Sequence, residues 1–316
     1  MRYKAENRLE LIYSLGPFFS LLGLTVILSL LSDRFLTVNN LFNVARQVSV
    51  DSIVACGMTF VILTGGIDLS VGSVLALTGS LVAGLMTQGF SISVAIATGL
   101  ILGMVLGYFN GLIVTRGKVA PFIATLVMMT MARGLTLVYT DGRPITGLPR
   151  EFLQIGGGYL GPVPLPVIIM LSVFLLSHIV LTQTKFGRYV YAIGSNEEAA
   201  RFSGIDTSRY KNLVYLISGA LAALSGIILT SRLNSAQPTA GLGLELDAIA
   251  AVVLGGTSLA GGQGGIPGTL IGALIIGILN NGLNLLNVSS FYQQVVKGAV
   301  ILLAVLGDQG RKKREG

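Results

Sequence analysis

The feature that most constrains this chain is the recurrence, from end to end, of apolar runs on the scale of a lipid bilayer. A hydrocarbon core of about 30 Å needs roughly 20 apolar residues per helical span. Apolar runs fall at 11–31, 48–63, 70–86, 92–114, 122–139, 165–181, 213–230, 248–255, 269–286 and 294–306, all but 248–255 and 294–306 reaching or approaching this length. One large water-soluble core is therefore excluded. Composition agrees: 11% of residues are charged, against about 25% in soluble domains, and 42 glycines suit helices that approach closely in lipid. The chain reads as an all-α polytopic membrane protein of about ten transmembrane helices, a single domain over residues 1–316. Residues 1–10 are charged and polar, the run after them is span-length, and no small-residue cleavage pattern closes it. The first helix is expected to stay as an anchor.

Lys and Arg give the orientation, because positive loops stay on the cytoplasmic side. Threading ten spans with both termini inside puts fourteen basic residues there: Arg2, Lys4 and Arg8, then Arg116 and Lys118, then Lys185, Arg188, Arg201, Arg209 and Lys211, and the run from Arg311 to Arg314. The outside receives Arg34, Arg46, Arg143, Arg150 and Arg232. These clusters account for the formal charge of +7 by attraction to membrane lipid headgroups, and no aromatic-interleaved basic stripe calls for nucleic acid. The single cysteine, Cys56, and the single histidine, His178, read as packing residues. They offer no disulfide, no Cys/His metal site and no catalytic constellation.

Two segments are poor helices. Residues 48–63 run into Thr64-Gly65-Gly66-Ile67-Asp68-Leu69-Ser70, and 248–254 run into a stretch from Gly255 to Gly268 that holds seven glycines; apolar sequence then resumes in both. Gly-interrupted hairpins in the two halves suggest an internal repeat, although five spans per half would invert the second copy whereas these hairpins share one orientation. Backbone that leaves a helix at membrane depth must be buried in protein or line a wet cavity. Thr64, Asp68 and Ser70 are thus candidates for a substrate pathway, against the alternative of a tight turn between packed helices. Neither cluster ends in the Lys-Ser/Thr of a phosphate-binding loop, so the chain is not expected to bind ATP.

Asn280, Asn281 and Asn284 lie in an apolar helix. Amides donate and accept, which suits a neutral sugar, and they equally join helices in lipid. Ionisable residues within apolar runs are Asp51, Asp68, Arg133, Glu245, Asp247 and Lys297, most of them near an expected helix end where they would reach water. Arg133 is the most central and needs a carboxylate or carbonyl partner.

The longest inward loop, residues 185–211, encodes a short helix of its own. Ser195 can cap it, Glu198 completes a capping box, Glu197 and Glu198 suit the positive end of the helix dipole, and Gly204 can end it in a left-handed conformation. A helix over 196–203 is too short to stand alone in water. It must dock, either on the chain's own helices or in a groove of another protein.

The strings FLTVNNLFNV (Phe35 to Val44), ILTGGIDLSVGSVLALTG (Ile62 to Gly79), FIATLVMMTMARG (Phe122 to Gly134), GRYVYAIGSNEEAARFSGI (Gly187 to Ile205), SAQPTAG (Ser235 to Gly241), ELDAIAAVVLGGTSLAGG (Glu245 to Gly262) and GTLIGALIIGILNNGLNLL (Gly268 to Leu286) resemble the permease subunits of bacterial ribose/pentose-type sugar ABC importers. The resemblance runs from about residue 9 to about residue 306 and is nearest to the ribose-carrying members. It implies alternating-access import of a monosaccharide, ribose or a related sugar, across the bacterial inner membrane, by a homodimer or paired permease. It also implies a cytoplasmic ATP-binding subunit that holds ATP and Mg, and a periplasmic or lipid-anchored sugar-binding protein, with no cofactor in this chain. Ser195, Asn196, Glu197, Glu198, Ala199, Arg201 and Gly204 look like the family's ATPase-facing segment. Residues 145–161 depart most from the ribose pattern. The residues alone leave two rivals: an ion-coupled secondary sugar transporter, with Asp51, Asp68 and Asp247 as a relay, and an intramembrane enzyme.

Overall fold

The computed structural model describes residues 2–315, with side chains described for 16–303, 305 and 306. Each apolar run lies on a helix: α1 (Arg2–Leu31), α2 (Val38–Leu63), α3 (Val71–Thr87), α4 (Ile92–Thr115), α5 (Pro121–Thr140), α7 (Leu165–Gln183), α10 (Thr207–Leu233), α11 (Leu244–Leu254), α12 (Ile266–Leu285) and α13 (Ser290–Glu315). Three further helices lie outside the runs: α6 (Arg150–Gly157), α8 (Lys185–Ser195) and α9 (Glu197–Phe202). Among the described residues, α2, α4, α5, α7, α10 and α12 are long and apolar enough to cross a membrane by themselves. The chain is thus an all-α polytopic membrane protein with one local correction. Strands β1 (Tyr159–Leu160) and β2 (Val163–Pro164) pair antiparallel across Gly161, whose φ of +61° permits the tight reversal.

Burial sorts the helices into a centre and a shell. In α2, 83% of the most apolar 18-residue window is inside the molecule, against 22% in α4, so α2 is core while α4 shows most of its apolar side chains on the outside of the molecule. Helices α3, α10 and α11 complete the centre with α2. The tightest seam joins α4 to α10. Gly103, Gly107 and Gly111 recur every fourth residue along one stripe of α4, opposite Gly219, Tyr215 and Asn212 of α10. A Cβ at Gly107 would meet the Tyr215 carbonyl oxygen, so only glycine permits this approach.

The two ends of the bundle differ. At one end α8 and α9 lie beside the end of α2, the start of α10 and the Gly255–Gly268 stretch. The opposite end carries α6 and the β-hairpin, tied to the end of α10 by Ser231, whose Oγ accepts from Gly156 N and donates to Phe152 O at 2.7 Å each. Helix α11, at 11 residues and about 16 Å, spans half a hydrocarbon core. Its companion loop folds inward to meet it: Arg133 Nη1, midway along α5, donates to Pro238 O at 2.6 Å and Ala240 O at 2.9 Å. The central arginine therefore satisfies backbone carbonyls.

Candidate functional site

Helix α9 is the short helix the loop encodes, bounded one residue inside the expected limits. Its cap requires a correction. Ser195 closes α8, and Asn196 is the N-cap, its Oδ1 accepting from Ala199 N at 2.9 Å. Ser and Asn cap about equally well; the end of α8 consumes Ser195 and leaves Asn196. Glu198, with no cap to reach back to, is exposed. Glu197 instead pairs with Lys211 Nζ at 2.9 Å, pinning α9 to the start of α10. Gly204 ends the helix with φ +85°, as its type allows. Only Ala200 of α9 is buried, while Ala199 and Arg201 are exposed and Phe202 is 82% exposed under the Arg201 guanidinium, 5.6 Å from its ring centroid.

Helix α8 was not legible as a separate element. It buries Gly187, Val190 and Ile193 at three-residue spacing, and its rings continue a contact chain, Phe60 to Phe186 to Tyr210 to Tyr189, between α2 and α10. Its last turn meets both Gly-rich hairpins at one seam. Gly262 N donates to Leu63 O at 3.0 Å and Tyr191 Oη donates to Gly264 O at 2.9 Å, while a Cβ at Gly194 would strike the Leu63 carbonyl.

The first hairpin holds its polar residues inside the protein. Thr64 Oγ1 donates to Val61 O. Asp68 is 1% exposed, which corrects the expectation that it reaches water from a helix end. Its Oδ1 accepts from Ser70 N at 3.0 Å and Ser70 Oγ at 2.6 Å, and its Oδ2 accepts from Ser218 Oγ at 2.8 Å; Asn110 Nδ2 in turn donates to Ser70 Oγ at 2.9 Å. Ser218 lies eleven residues into α10, about 16 Å along it, so the hairpin turn sits at span depth.

The three asparagines of α12 separate. Asn281 exchanges two hydrogen bonds with Asn40 of α2, at 2.9 and 3.0 Å, and Asn284 Oδ1 accepts from Gln293 Nε2 at 2.8 Å. Asn280 instead faces a cavity of about 250 Å³ toward the α6 end, where its buried Oδ1 has no partner. Gln47 and Asp51 of α2, Arg232 of α10, Asp247 of α11 and Lys297 of α13 line the same space, and Lys297 Nζ bonds Asp247 Oδ2 at 2.7 Å. Asp51, Asp247 and Lys297 were visible as ionisable residues in apolar runs. Gln47 and Arg232 were missed, because each sits beside polar sequence at a span end and only the fold turns it inward.

The family described as branched-chain amino acid transport system / permease component matches residues 40–305. The chain is 59% identical over 301 residues to the ribose import permease protein of Bacillus subtilis (strain 168), covering 95% of this chain and 93% of that protein. It is 57% identical over 297 residues to the ribose import permease protein of Escherichia coli (strain K12), covering 93% and 92%. The D-allose transport system permease protein of the same strain is 42% identical over 296 residues, covering 93% and 91%. No solved structure matches.

Proposed function

The chain belongs to the branched-chain amino acid transport system / permease component family, and from that premise we propose that it is the ribose-carrying permease of an ATP-driven importer. It is a transport subunit of the membrane rather than an enzyme, and the ribose and allose permeases to which it is similar along nearly its whole length support a monosaccharide as the cargo. In this reading the ten apolar runs are ten crossings of the inner membrane and the α8–α9 end is cytoplasmic, as its Lys185, Arg188, Arg201, Arg209 and Lys211 favour. A separate subunit holds ATP and Mg, an extracytoplasmic sugar-binding protein delivers the sugar at the α6 end, and two permeases pair.

The observation that carries the ATP-driven reading is α9. A six-residue helix is too short to persist alone, yet this one is capped at both ends, pinned by Glu197 and Lys211, and presents Phe202 to solvent. Such an element suits a hydrophobic groove on the ATPase. Asn196, Glu197, Ala199, Arg201 and Gly204 then build and present the handle, while Ser195 joins it to the hairpin seam. Thr64, Asp68 and Ser70 hold the first hairpin in shape beside the path, and Asn280 faces the path itself.

The test is uptake of labelled ribose by proteoliposomes that contain the permease, its ATPase and its binding protein. Uptake that requires internal ATP and survives collapse of proton and sodium gradients is the expected result. Uptake that follows an ion gradient without the ATPase would refute the proposal.

A further inference from the structure

The cavity toward the α6 end has a lining that specifies its guest. Asp51 and Asp247 offset Arg232 and Lys297, and Gln47 and Asn280 are neutral, so the polar lining carries no net formal charge. The charges also act on one another: Lys297 bonds Asp247 at 2.7 Å, and Lys297 and Arg232 attract the Asp51 carboxylate while Asp247 repels it. A charged guest would have to compete for Asp51 or Arg232 with the opposite charges already beside them, whereas a neutral polyol would not. Hydrogen-bonding capacity is nevertheless left over. Asn280 is 6% exposed and its buried Oδ1 has no partner, while the half-buried Asp51 carboxylate opens onto the same space. A buried acceptor such as Asn280 Oδ1 is costly unless something donates to it, and a sugar hydroxyl does.

Size and position agree. At roughly 30 Å³ per water, 250 Å³ equals about eight waters, room for one sugar ring and too little for two. Leu229 and Val50 supply an apolar wall for the C–H face of a ring. Arg232 is one residue from the end of α10 and Asn280 five from the end of α12, which puts the space in the half of the bundle nearer α6.

We infer that this cavity is a monosaccharide-binding subsite inside the permease, in which Asp51 and Asn280 accept hydroxyl protons and Gln47 both donates and accepts. The Asp247–Lys297 pair closes α13 over it, since α13 packs mainly on α11 and this pair joins the two helices. The inference rests on the sugar-carrying reading and adds that the permease itself recognises the ring.

Leu242, 68% exposed, is the outlying member of the lining and carries no hydrogen-bonding group, so Leu242→Cys offers a reporter thiol; the native Cys56 is fully buried and does not compete. The permease and its ATPase are reconstituted without binding protein, and the rate of labelling by a small water-soluble thiol reagent is measured with D-ribose or leucine added. At ribose ten times above its half-protecting concentration, labelling should slow by about tenfold. Asn280→Leu or Asp51→Asn, each in the Leu242→Cys chain, should raise that concentration at least ~tenfold. If ribose leaves labelling unchanged while the complete complex still imports ribose, the subsite is refuted and the transport reading stands. Protection by leucine alone assigns the cavity to a zwitterion and overturns the inference, and failure of the complete complex to import any monosaccharide overturns the reading beneath it. Because the reporter chain alone separates these outcomes, a variant that fails to fold does not block the test.

Discussion

Asn281 and Asn40 lie 241 residues apart in sequence, and nothing local to either marks them as partners. Interhelical hydrogen bonds in membrane proteins average about 0.6 kcal/mol by double-mutant cycles. Asn281→Ala and Asn40→Ala are therefore each expected to cost under about 2 kcal/mol, non-additively, in detergent unfolding, with transport retained. Asp68 is the opposite case. Removing it strands Ser70 Oγ, Ser70 N and Ser218 Oγ, buried donors worth about 1–3 kcal/mol each when unsatisfied. Asp68→Ala should accordingly leave little folded permease in the membrane, whereas Ser218→Ala, which keeps the carboxylate and two of its donors, should fold with reduced thermal stability. The residue types announced polar function at 68, 280, 281 and 284 alike. Which of them faces a cavity depends on helix rotation and on partners far away in sequence, so only the fold separates Asn280 from its neighbours.

At the scale of elements, local chemistry was legible and competition between neighbours was not. Acidic residues at 197 and 198 and a glycine at 204 gave α9 within a residue at each end. The choice between Ser195 and Asn196 as its cap turned on α8, whose buried stripe is too brief to resemble a span. Two outcomes follow for α9. Asn196→Ala should weaken the helix by about 1 kcal/mol, visible as faster amide exchange over 197–202. Phe202→Ala should leave the permease folded and in the membrane while stimulation of the ATPase falls at least ~tenfold, the loss of about 1.4 kcal/mol of contact; unchanged stimulation would remove α9 from the coupling role. For the α4–α10 seam, Gly107→Leu should abolish recovery of folded protein in mild detergent. Gly134→Leu, where a Cβ meets nothing within 4 Å, serves as the tolerated control.

Across the whole molecule, apolar length located the six helices that are long enough to cross a membrane by themselves among the described residues, because a bilayer sets a minimum length for a self-sufficient span. It could not tell which loops meet, since contact order in lipid is set by glycine stripes and buried polar clusters that length does not report. The meeting of Gly194, Leu63 and Gly262 is the clearest instance. Gly194→Val should leave α9 able to bind the ATPase yet reduce ATP-driven uptake, measurable as stable subunit co-purification with lost transport. If α9 grips the ATPase as proposed, that seam also lets the signal run in both directions. A handle fastened to both hairpins cannot be pulled without disturbing them, and by thermodynamic reciprocity they cannot shift without altering its grip. Cargo that biases the hairpins must then change ATPase affinity by the same factor as the ATPase changes affinity for cargo, so the permease would work as a gauge of its own load.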